Sequence, residues 1–154
     1  MDLRLETFLP YRLNRAAAVS SKHFSRIYQA EFGLTVPEWR VLATLGQIGT
    51  ASATEIGQHS AMHKTKVSRA VTALQQRRWV TRETDGMDRR IEHLTLTAAG
   101  QSAFRRLAPK MLAHEDALMD RLSARERADL LRGLAVLEKA LGIPVAETLE
   151  EEAS

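Results

Sequence analysis

Residues 52–100 read SATEIGQHSAMHKTKVSRAVTALQQRRWVTRETDGMDRRIEHLTLTAAG, and this stretch decides the fold. It predicts two short helices followed by a hairpin. Ser52-Ala53-Thr54-Glu55 has the S-x-x-E form of a capping box, which starts a helix through about Gln58. A second helix, beginning near Lys64, has one apolar face because its apolar residues recur at i, i+3, i+4 and i+7. These residues are Val67, Ala70, Val71 and Leu74.

The opposite face of this second helix carries small, amide-bearing or basic side chains and no acidic one. At 100° per residue from Val67, the outward residues are Thr65, Arg69, Thr72 and Gln76, with Ser68 and Gln75 at the flank. Such side chains suit a surface that approaches phosphates and base edges, whereas an ordinary solvated face mixes Glu with Lys. We therefore interpret this helix as a DNA recognition helix.

Two β-prone segments follow, and the charge around them is strongly basic. Trp79–Arg82 and Ile91–Leu96 alternate in polarity, and the turn-rich residues 83–88 separate them, so they predict a hairpin. Residues 64–90 contain eight basic side chains and three acidic ones, although the net charge of the whole chain is only +3. Helix, turn, helix and basic hairpin together predict a winged helix-turn-helix that binds double-stranded DNA. A solvated charge run is the alternative interpretation of the basic segment.

Composition limits the other possibilities. A chain of 154 residues with 44% apolar content fits one domain, or one domain with helical extensions. The sequence contains no run of eighteen apolar residues, so we expect no membrane association. Met1-Asp2-Leu3-Arg4 lacks the pattern of a signal peptide, so we expect a cytoplasmic protein. The chain contains no cysteine, which excludes disulfides, iron–sulfur clusters and thiol-based sensing within it.

Long helices are predicted on both sides of the winged helix. The first runs from Phe8 to about Glu31, and Pro37 opens a further helix that stops near residues 46–49. After the hairpin, Thr97 caps a helix to about Leu122, which Pro109 bends rather than ends. A capping box at Ser123-Ala124-Arg125-Glu126 opens the last helix.

The last helix carries a stripe of leucines that needs a partner. They are Leu130, Leu131, Leu134, Leu137 and Leu141. The stripe could fold back on its own core, but the first and last helices carry more apolar surface than one winged domain covers, so we expect a two-fold homodimer. The predicted fold class is mainly α (α+β): a winged helix-turn-helix (33–100) with N- and C-terminal dimerisation helices (1–32 and 101–146) and an acidic tail (147–154).

Several motifs resemble those of the multiple-antibiotic-resistance regulator (MarR) family. They are Leu74-Gln75-Gln76-Arg77, Trp79-Val80, Arg82, Asp88-Arg89-Arg90, Leu94-Thr95-Leu96-Thr97-Ala98-Ala99-Gly100 and Glu38-Trp39-Arg40-Val41-Leu42. The resemblance implies a homodimeric transcription factor, usually a repressor that a small, often aromatic or phenolic, ligand releases. It also implies that Arg90 enters the minor groove and that Asp88 helps to hold it.

From the helix face and the resemblance we predict ten DNA-binding residues. They are His63, Lys64, Thr65, Lys66, Ser68, Arg69, Thr72, Asp88, Arg89 and Arg90. Two positions depart from the family pattern: His63 stands where an acidic residue is common, and Arg78 where glycine is common. His63 cannot cap as an aspartate would, but it could donate to a phosphate or simply be exposed. Arg78 requires either a different helix end or a strained backbone.

The resemblance places a ligand pocket between the dimerising helices and the DNA-binding domain. The candidate ligand-binding residues are Tyr11, Arg15, His23, Trp39 and Arg40. Trp39 could instead be a core residue, and Arg40 could pair with an acid. Arginines beside aromatic rings suit an anionic aromatic effector. The segments around Trp39 and Lys64 are similar to the branch that controls aromatic-acid catabolism, some members of which sense coenzyme A thioesters.

Other chemistry is poorly supported by the sequence. His59 and His63 have the spacing of a helical metal pair, but a turn should separate them and nothing completes a shell, so we expect no metal and no cofactor. No phosphate-binding glycine loop or catalytic arrangement is present, which makes an enzyme the weaker class. The remaining alternative is a DNA-binding architectural or accessory protein that senses no effector.

Overall fold

The computed structural model describes residues 2–144. Its helices are α1 (Leu9–Phe32), α2 (Val36–Ile48), α3 (Ala53–Ser60), α4 (Lys64–Gln76), α5 (Ala98–Met119) and α6 (Ala124–Ala140), and a 3₁₀ turn covers Leu5–Thr7. Its strands are β1 (Thr50–Ser52), β2 (Val80–Thr84) and β3 (Glu92–Leu96). The prediction of a mainly helical winged helix-turn-helix is confirmed. The predicted acidic tail lies outside the described residues.

The strands form one antiparallel sheet in the order β1-β3-β2. Strand β1 was not predicted from the sequence, because a strand of three residues has no periodicity to detect. Ser52 is both the last residue of β1 and the N-cap of α3, so the strand delivers the chain directly into the helix. Thr50 pairs with Thr95 across the sheet, and their hydroxyl oxygens lie 3.1 Å apart.

The hairpin is shifted from its predicted position. Glu83 and Thr84, assigned to the turn by sequence, belong to β2 and pair with His93 and Glu92. Trp79 and Ile91, assigned to strands, lie outside them. The backbone N–H of Asp85 donates to the Ile91 carbonyl at 2.8 Å, so the turn begins two residues later than predicted.

Local sequence accounts for the helix boundaries. Both predicted capping boxes are present, since Ser52 and Ser123 accept from the backbone N–H of Glu55 and Glu126, whose carboxylates accept in return. Thr35 and Glu38 form a third box that was not predicted. α5 continues through Pro109, as predicted, and ends at Met119 rather than near Leu122.

Contacts divide the chain into two compact units, Met1–Ala113 and His114–Ser154. The first unit contains a core whose largest fully buried side chains come from all five of its helices, from β3 and from the connection between α1 and α2. They are Tyr28, Leu34, Leu42, Leu45, Ile56, Leu74, Leu94 and Leu107. In the second unit, α6 has no buried residue. No helix within residues 2–144 is long and apolar enough to span a membrane.

Candidate nucleic-acid interface and effector cavity

α4 presents the two faces that its periodicity predicts. Val67, Ala70, Val71 and Leu74 are at most 3% exposed and pack into the core. The outward face is exposed along its length and contains no carboxylate. Its exposed members are Lys64, Thr65, Lys66, Ser68, Arg69, Thr72 and Gln76. A rigid helix with a packed back and a basic, hydroxyl-rich front is the form that enters a major groove.

The N-terminus of α4 corrects one expectation. His63 is the N-cap, and its Nδ1 accepts a hydrogen bond from the Thr65 N–H at 3.4 Å, so histidine caps here although we expected that it could not. Accepting at Nδ1 requires the neutral ring with its proton on Nε2. That Nε2–H remains available to donate outward. Ala61, with φ of 51°, makes the sharp turn between α3 and α4 and separates His59 from His63.

The C-terminus of α4 shows how Arg78 replaces glycine. Arg78 has φ of 60°, the left-handed conformation that side chains disfavour. The N–H groups of Arg78 and Trp79 donate to the carbonyls of Gln75 and Leu74 at 2.8 and 2.9 Å, which completes a Schellman motif. The helix therefore ends as in a glycine-terminated motif, and the site tolerates the strain.

The wing turn is organised by the carboxylate of Asp85. Its Oδ1 accepts from the N–H groups of Met87 and Asp88 at 2.7 and 3.0 Å, and Nε2 of His93 donates to its Oδ2 at 2.7 Å. These hydrogen bonds, that of His93 foremost, lower the pKa of Asp85 to about 2. An ionised Asp85 therefore fixes the backbone of the turn.

Asp88 and Arg90 lie together at the end of the wing. Oδ1 of Asp88 accepts from the backbone N–H of Arg90 at 3.0 Å and from its Nε at 3.3 Å. The Arg90 side chain is nevertheless 92% exposed, and Arg89 is exposed beside it. The contact orients the arginine at its base and leaves its guanidinium facing solvent.

The wing is joined to α5 through Thr97 and Gly100. The Thr97 hydroxyl donates to the Arg78 carbonyl at 2.7 Å and accepts from the Gly100 N–H at 3.1 Å, which also caps α5 as predicted. A Cβ on Gly100 would lie 2.3 Å from the Trp79 carbonyl oxygen, so only glycine fits. The L-T-x-T-A-A-G motif thus builds the joint between sheet and helix.

A cavity of about 240 Å³ lies between α1, α2 and α5 in the first unit. It is lined by Ser20, Ser21, Phe24, Tyr28, Val36, Trp39, Arg40 and Met111. Trp39 stacks on Tyr28 with ring centroids 5.5 Å apart, so it is both a wall of the cavity and part of the core. Burial raises the pKa of the Tyr28 hydroxyl, and the nearby charge of Arg40 opposes that rise.

Arg40 is the cation of this cavity. Its Nη2 donates to the Ser21 hydroxyl at 3.3 Å, and the residue is half-buried. Among residues 2–144 it forms no ion pair, so the alternative that it simply pairs with an acid is not observed. A partly desolvated guanidinium that lacks a carboxylate partner favours an anionic ligand.

The other three candidate ligand residues lie on α1 outside the cavity lining. Tyr11 and Arg15 are near the start of the helix, where the guanidinium lies 5.8 Å from the Tyr11 ring centroid. Arg15 lines a separate, shallow depression together with Glu6, Arg12, Ala16 and Val19. His23 packs edge-on against Phe24, which does line the cavity. The structure therefore brings Trp39 and Arg40 together but leaves Tyr11 and Arg15 apart from them.

Sequence reasoning missed Asp85, His93, Ser21 and Tyr28. Asp85 could have been found from the sequence, because an aspartate in a turn commonly accepts hydrogen bonds from the backbone N–H groups two and three residues later. Ser21 and Tyr28 gave no such signal, because their role depends on the packing of α1 against α2. No group of three or more histidines and carboxylates able to hold a metal is found in residues 2–144.

Comparison with known proteins agrees with this geometry. A family model described as "MarR family" matches residues 32–91, which contain α2 to α4 and most of the wing. The chain is 28% identical over 111 residues to an uncharacterised HTH-type transcriptional regulator of Bacillus subtilis, covering 72% of this chain and 80% of that protein.

Solved structures extend the similarity to almost the whole chain. A MarR family transcriptional regulator from Silicibacter pomeroyi DSS-3 is 30% identical, with a TM-score of 0.78 and coverage of 91% of this chain and 99% of that one. A MarR family transcriptional regulator from Streptomyces coelicolor, solved in complex with DNA, is 27% identical, with a TM-score of 0.75 and coverage of 96% and 97%.

Proposed function

Because this chain belongs to the MarR family of DNA-binding transcriptional regulators, and is not an enzyme, we propose that it is a dimeric repressor released from its operator by a small molecule. The operator is a palindrome. The effector is a small aromatic acid, a phenol or the coenzyme A thioester of such an acid. The observation that carries this proposal is the carboxylate-free, exposed face of α4 beside the basic wing.

In this proposal two elements of the first unit contact DNA: α4 and the wing. Arg69 and its neighbours on α4 suit the major groove, where arginine binds guanine in a bidentate manner. Arg90, oriented by Asp88, suits the narrow minor groove, where its charge is attracted without base-specific hydrogen bonds. The Streptomyces coelicolor relative was solved in complex with DNA, which supports this assignment.

Exposed apolar side chains support the dimer. In the first unit Leu3, Leu9 and Val19 are at least half exposed, and in the second unit so are Leu131 and Leu141. Apolar patches that stay exposed on a monomer mark interaction surfaces. A two-fold dimer would cover them and would match a palindromic site.

The cavity supports an anionic aromatic effector. Trp39 and Tyr28 offer ring faces, and Arg40 offers a cation that lacks an ion-pair partner among the described residues. The volume of about 240 Å³ is below the usual range of about 300 Å³ and more for drug-sized ligands, so a single-ring acid fits it best. The coenzyme A part of a thioester would have to extend outside the cavity.

Release follows from geometry. Two recognition helices must match half-sites about one DNA turn, roughly 34 Å, apart, so a small change in their spacing abolishes the fit. A ligand that stabilises a poorly fitting spacing weakens DNA binding. Linkage then requires that DNA weaken ligand binding by the same factor.

The DNA assignment is tested with a duplex selected from a random pool by the wild-type protein. Arg69→Ala should lose about 1–3 kcal/mol of binding free energy on that duplex without a change in thermal stability. Arg90→Ala should weaken binding to many sequences and flatten the dependence of affinity on salt. Unchanged affinity of Arg69→Ala at normal stability would contradict the placement of α4 in the groove.

The effector assignment is tested by titrating benzoate-type acids, phenols and their thioesters against the protein–DNA complex in a mobility shift. Arg40→Ala should abolish release while leaving DNA affinity intact, whereas Arg15→Ala, which removes the same charge outside the cavity, should respond like wild type. Calorimetry checks the linkage. If an effector binds free and DNA-bound protein equally, the switch is wrong, and if no compound releases the DNA, an architectural protein without an effector is favoured.

A further inference from the structure

Arg82 joins α4 to the wing hairpin through its guanidinium. Nε donates to Oε1 of Gln75, in the last turn of α4, at 2.9 Å, and Nη1 donates to Oε2 of Glu92 on β3 at 2.7 Å. Arg82 pairs with Leu94, two residues from Glu92, so the three side chains share one face of the hairpin. One side chain thus holds a helix and a strand at the same time.

A cavity of about 190 Å³ adjoins this contact. It is lined by Ala53, by Lys64, Ser68 and Val71 of α4, and by Arg82, Glu92 and Leu94 of the hairpin. Densely packed side chains fix the angle between two elements, and a cavity removes such contacts from its lining atoms. Val71 and Leu94 belong to the buried core and pack α4 against the sheet on one side of this cavity. The hydrogen bonds of Arg82 link α4 to the hairpin where the cavity interrupts that packing.

The charge of Arg82 is already paired. Arg82 forms an ion pair with Glu92. The Arg82 side chain is 34% exposed, whereas the Arg90 side chain is 92% exposed. The Glu92 carboxylate offsets the charge of the guanidinium, and Gln75 and Glu92 fix its direction, which reduces its attraction for a phosphate. Its position favours a role in orienting the wing over a contact with DNA.

We propose that Arg82 is a positioning residue for DNA binding, which sets the angle between α4 and the wing so that Arg69 and Arg90 reach their grooves together. This rests on the proposed function, in which both arginines contact DNA. Without Arg82 the wing remains folded, because Asp85 and Asp88 organise its turn independently. What is lost is the fixed direction in which the wing presents Arg90.

The test is a double-mutant cycle with the full-length protein and the duplex selected by wild type. Arg90→Ala should weaken binding about tenfold in the wild-type background, a change of about 1.4 kcal/mol. In the Arg82→Ala background the wing is already misdirected, so Arg90→Ala should cost less than about threefold. Arg82→Lys should behave like Arg82→Ala, because one ammonium cannot reproduce the two directed contacts of a planar guanidinium.

The matched control is Arg105→Ala, which removes the same charge from an exposed position on α5. Its effect and that of Arg90→Ala should multiply within about twofold. If the effects of Arg82→Ala and Arg90→Ala also multiply, or if Arg82→Lys restores wild-type affinity, Arg82 acts by charge and the proposal is overturned. If urea titrations show that Arg82→Ala does not fold, Gln75→Ala replaces it in the cycle. Gln75→Ala removes the contact of Arg82 with α4 and leaves its contact with Glu92 intact. A wild-type protein that selects no duplex would refute the proposed function itself.

Discussion

At the scale of single residues, Gly100 is the glycine with the least space for a side chain. A Cβ there would meet the Trp79 carbonyl oxygen at 2.3 Å, and that oxygen already accepts the Thr97 N–H. Because the backbone of the joint cannot move without breaking this bond, we expect Gly100→Ala to destabilise the protein by about 1–3 kcal/mol, as overpacking does. Urea unfolding followed by circular dichroism measures it.

Gly133 provides the control for that substitution. It lies inside α6, where a Cβ would have no neighbouring atom within 4 Å, so Gly133→Ala should raise stability by about 0.5–1 kcal/mol. A stabilised Gly100→Ala protein would show that the joint between the sheet and α5 is looser than its distances indicate.

Arg78 predicts the opposite effect, since here glycine is the better residue. With φ of 60° it holds a left-handed conformation that costs roughly 1 kcal/mol for a residue with a Cβ. Arg78→Gly should therefore stabilise the protein by up to about 1 kcal/mol, less the entropy that glycine loses on folding. A lower melting temperature would mean that the Arg78 side chain makes a contact whose loss outweighs the strain.

Asp85 predicts a pH dependence of wing stability. Its pKa is lowered to about 2 in the folded protein, so its stabilising contribution is complete above the ordinary value near 3.8 and is lost as the pH falls towards 2. Wild type should therefore be more stable than Asp85→Asn at pH 5, and the difference should shrink between pH 4 and 2. Urea midpoints of both proteins at a series of pH values check this; a difference that grows on acidification would have the wrong sign.

At the scale of elements, periodicity determined what could be predicted. The 3.6-residue repeat of α4 and the S-x-x-E boxes specify local structure from residues close in sequence, and their predictions are confirmed. β1 depends on pairing across more than forty residues, as between Thr50 and Thr95, which leaves no local signal. The register of the hairpin depends on where its turn begins, and Glu83 and Thr84 do not mark that point by their residue types. His63 was misjudged because the rotamer that lets an imidazole cap a helix cannot be read from its identity.

The candidate sites follow the same division. The exposed face of α4 and the wing arginines could be predicted, since each lies on one element. The cavity is formed by three helices, so its lining could not be predicted from any one of them. Trp39 and Arg40 were selected because of their chemistry, and Ser21 and Tyr28 were missed. Tyr11 and Arg15 were selected by the same chemistry, but they lie near the start of α1. The part of α1 that lines the cavity begins at Ser20, so the length of the helix separates these two residues from it.

At the scale of the whole molecule, the proposed dimer predicts a concentration-dependent repressor. Leu134 on α6 is 43% exposed, and burying a leucine contributes about 1.5–3 kcal/mol. Because a two-fold axis repeats the change, Leu134→Asp should raise the dimer dissociation constant about a hundredfold or more and weaken binding to a palindromic duplex. Analytical ultracentrifugation measures the association.

Arg132→Asp is the control, since it introduces the same side chain on the opposite side of α6, two residues from Leu134. This variant should remain dimeric. A wild-type protein that sediments as a monomer at micromolar concentration would contradict the dimer, and a Leu134→Asp protein that stays dimeric would place the interface elsewhere.

The positions of the two tryptophans make the protein its own optical reporter. Trp39 stacks on Tyr28 in the cavity wall, while Trp79 packs edge-on against Phe32 beneath the guanidinium of Arg77, at the base of the wing. Replacing either indole by phenylalanine would leave a single tryptophan, in one variant beside the cavity and in the other beside the proposed DNA-binding elements. Quenching of the first and a spectral shift of the second, followed in a stopped-flow instrument, would show in which order the cavity fills and the wing responds.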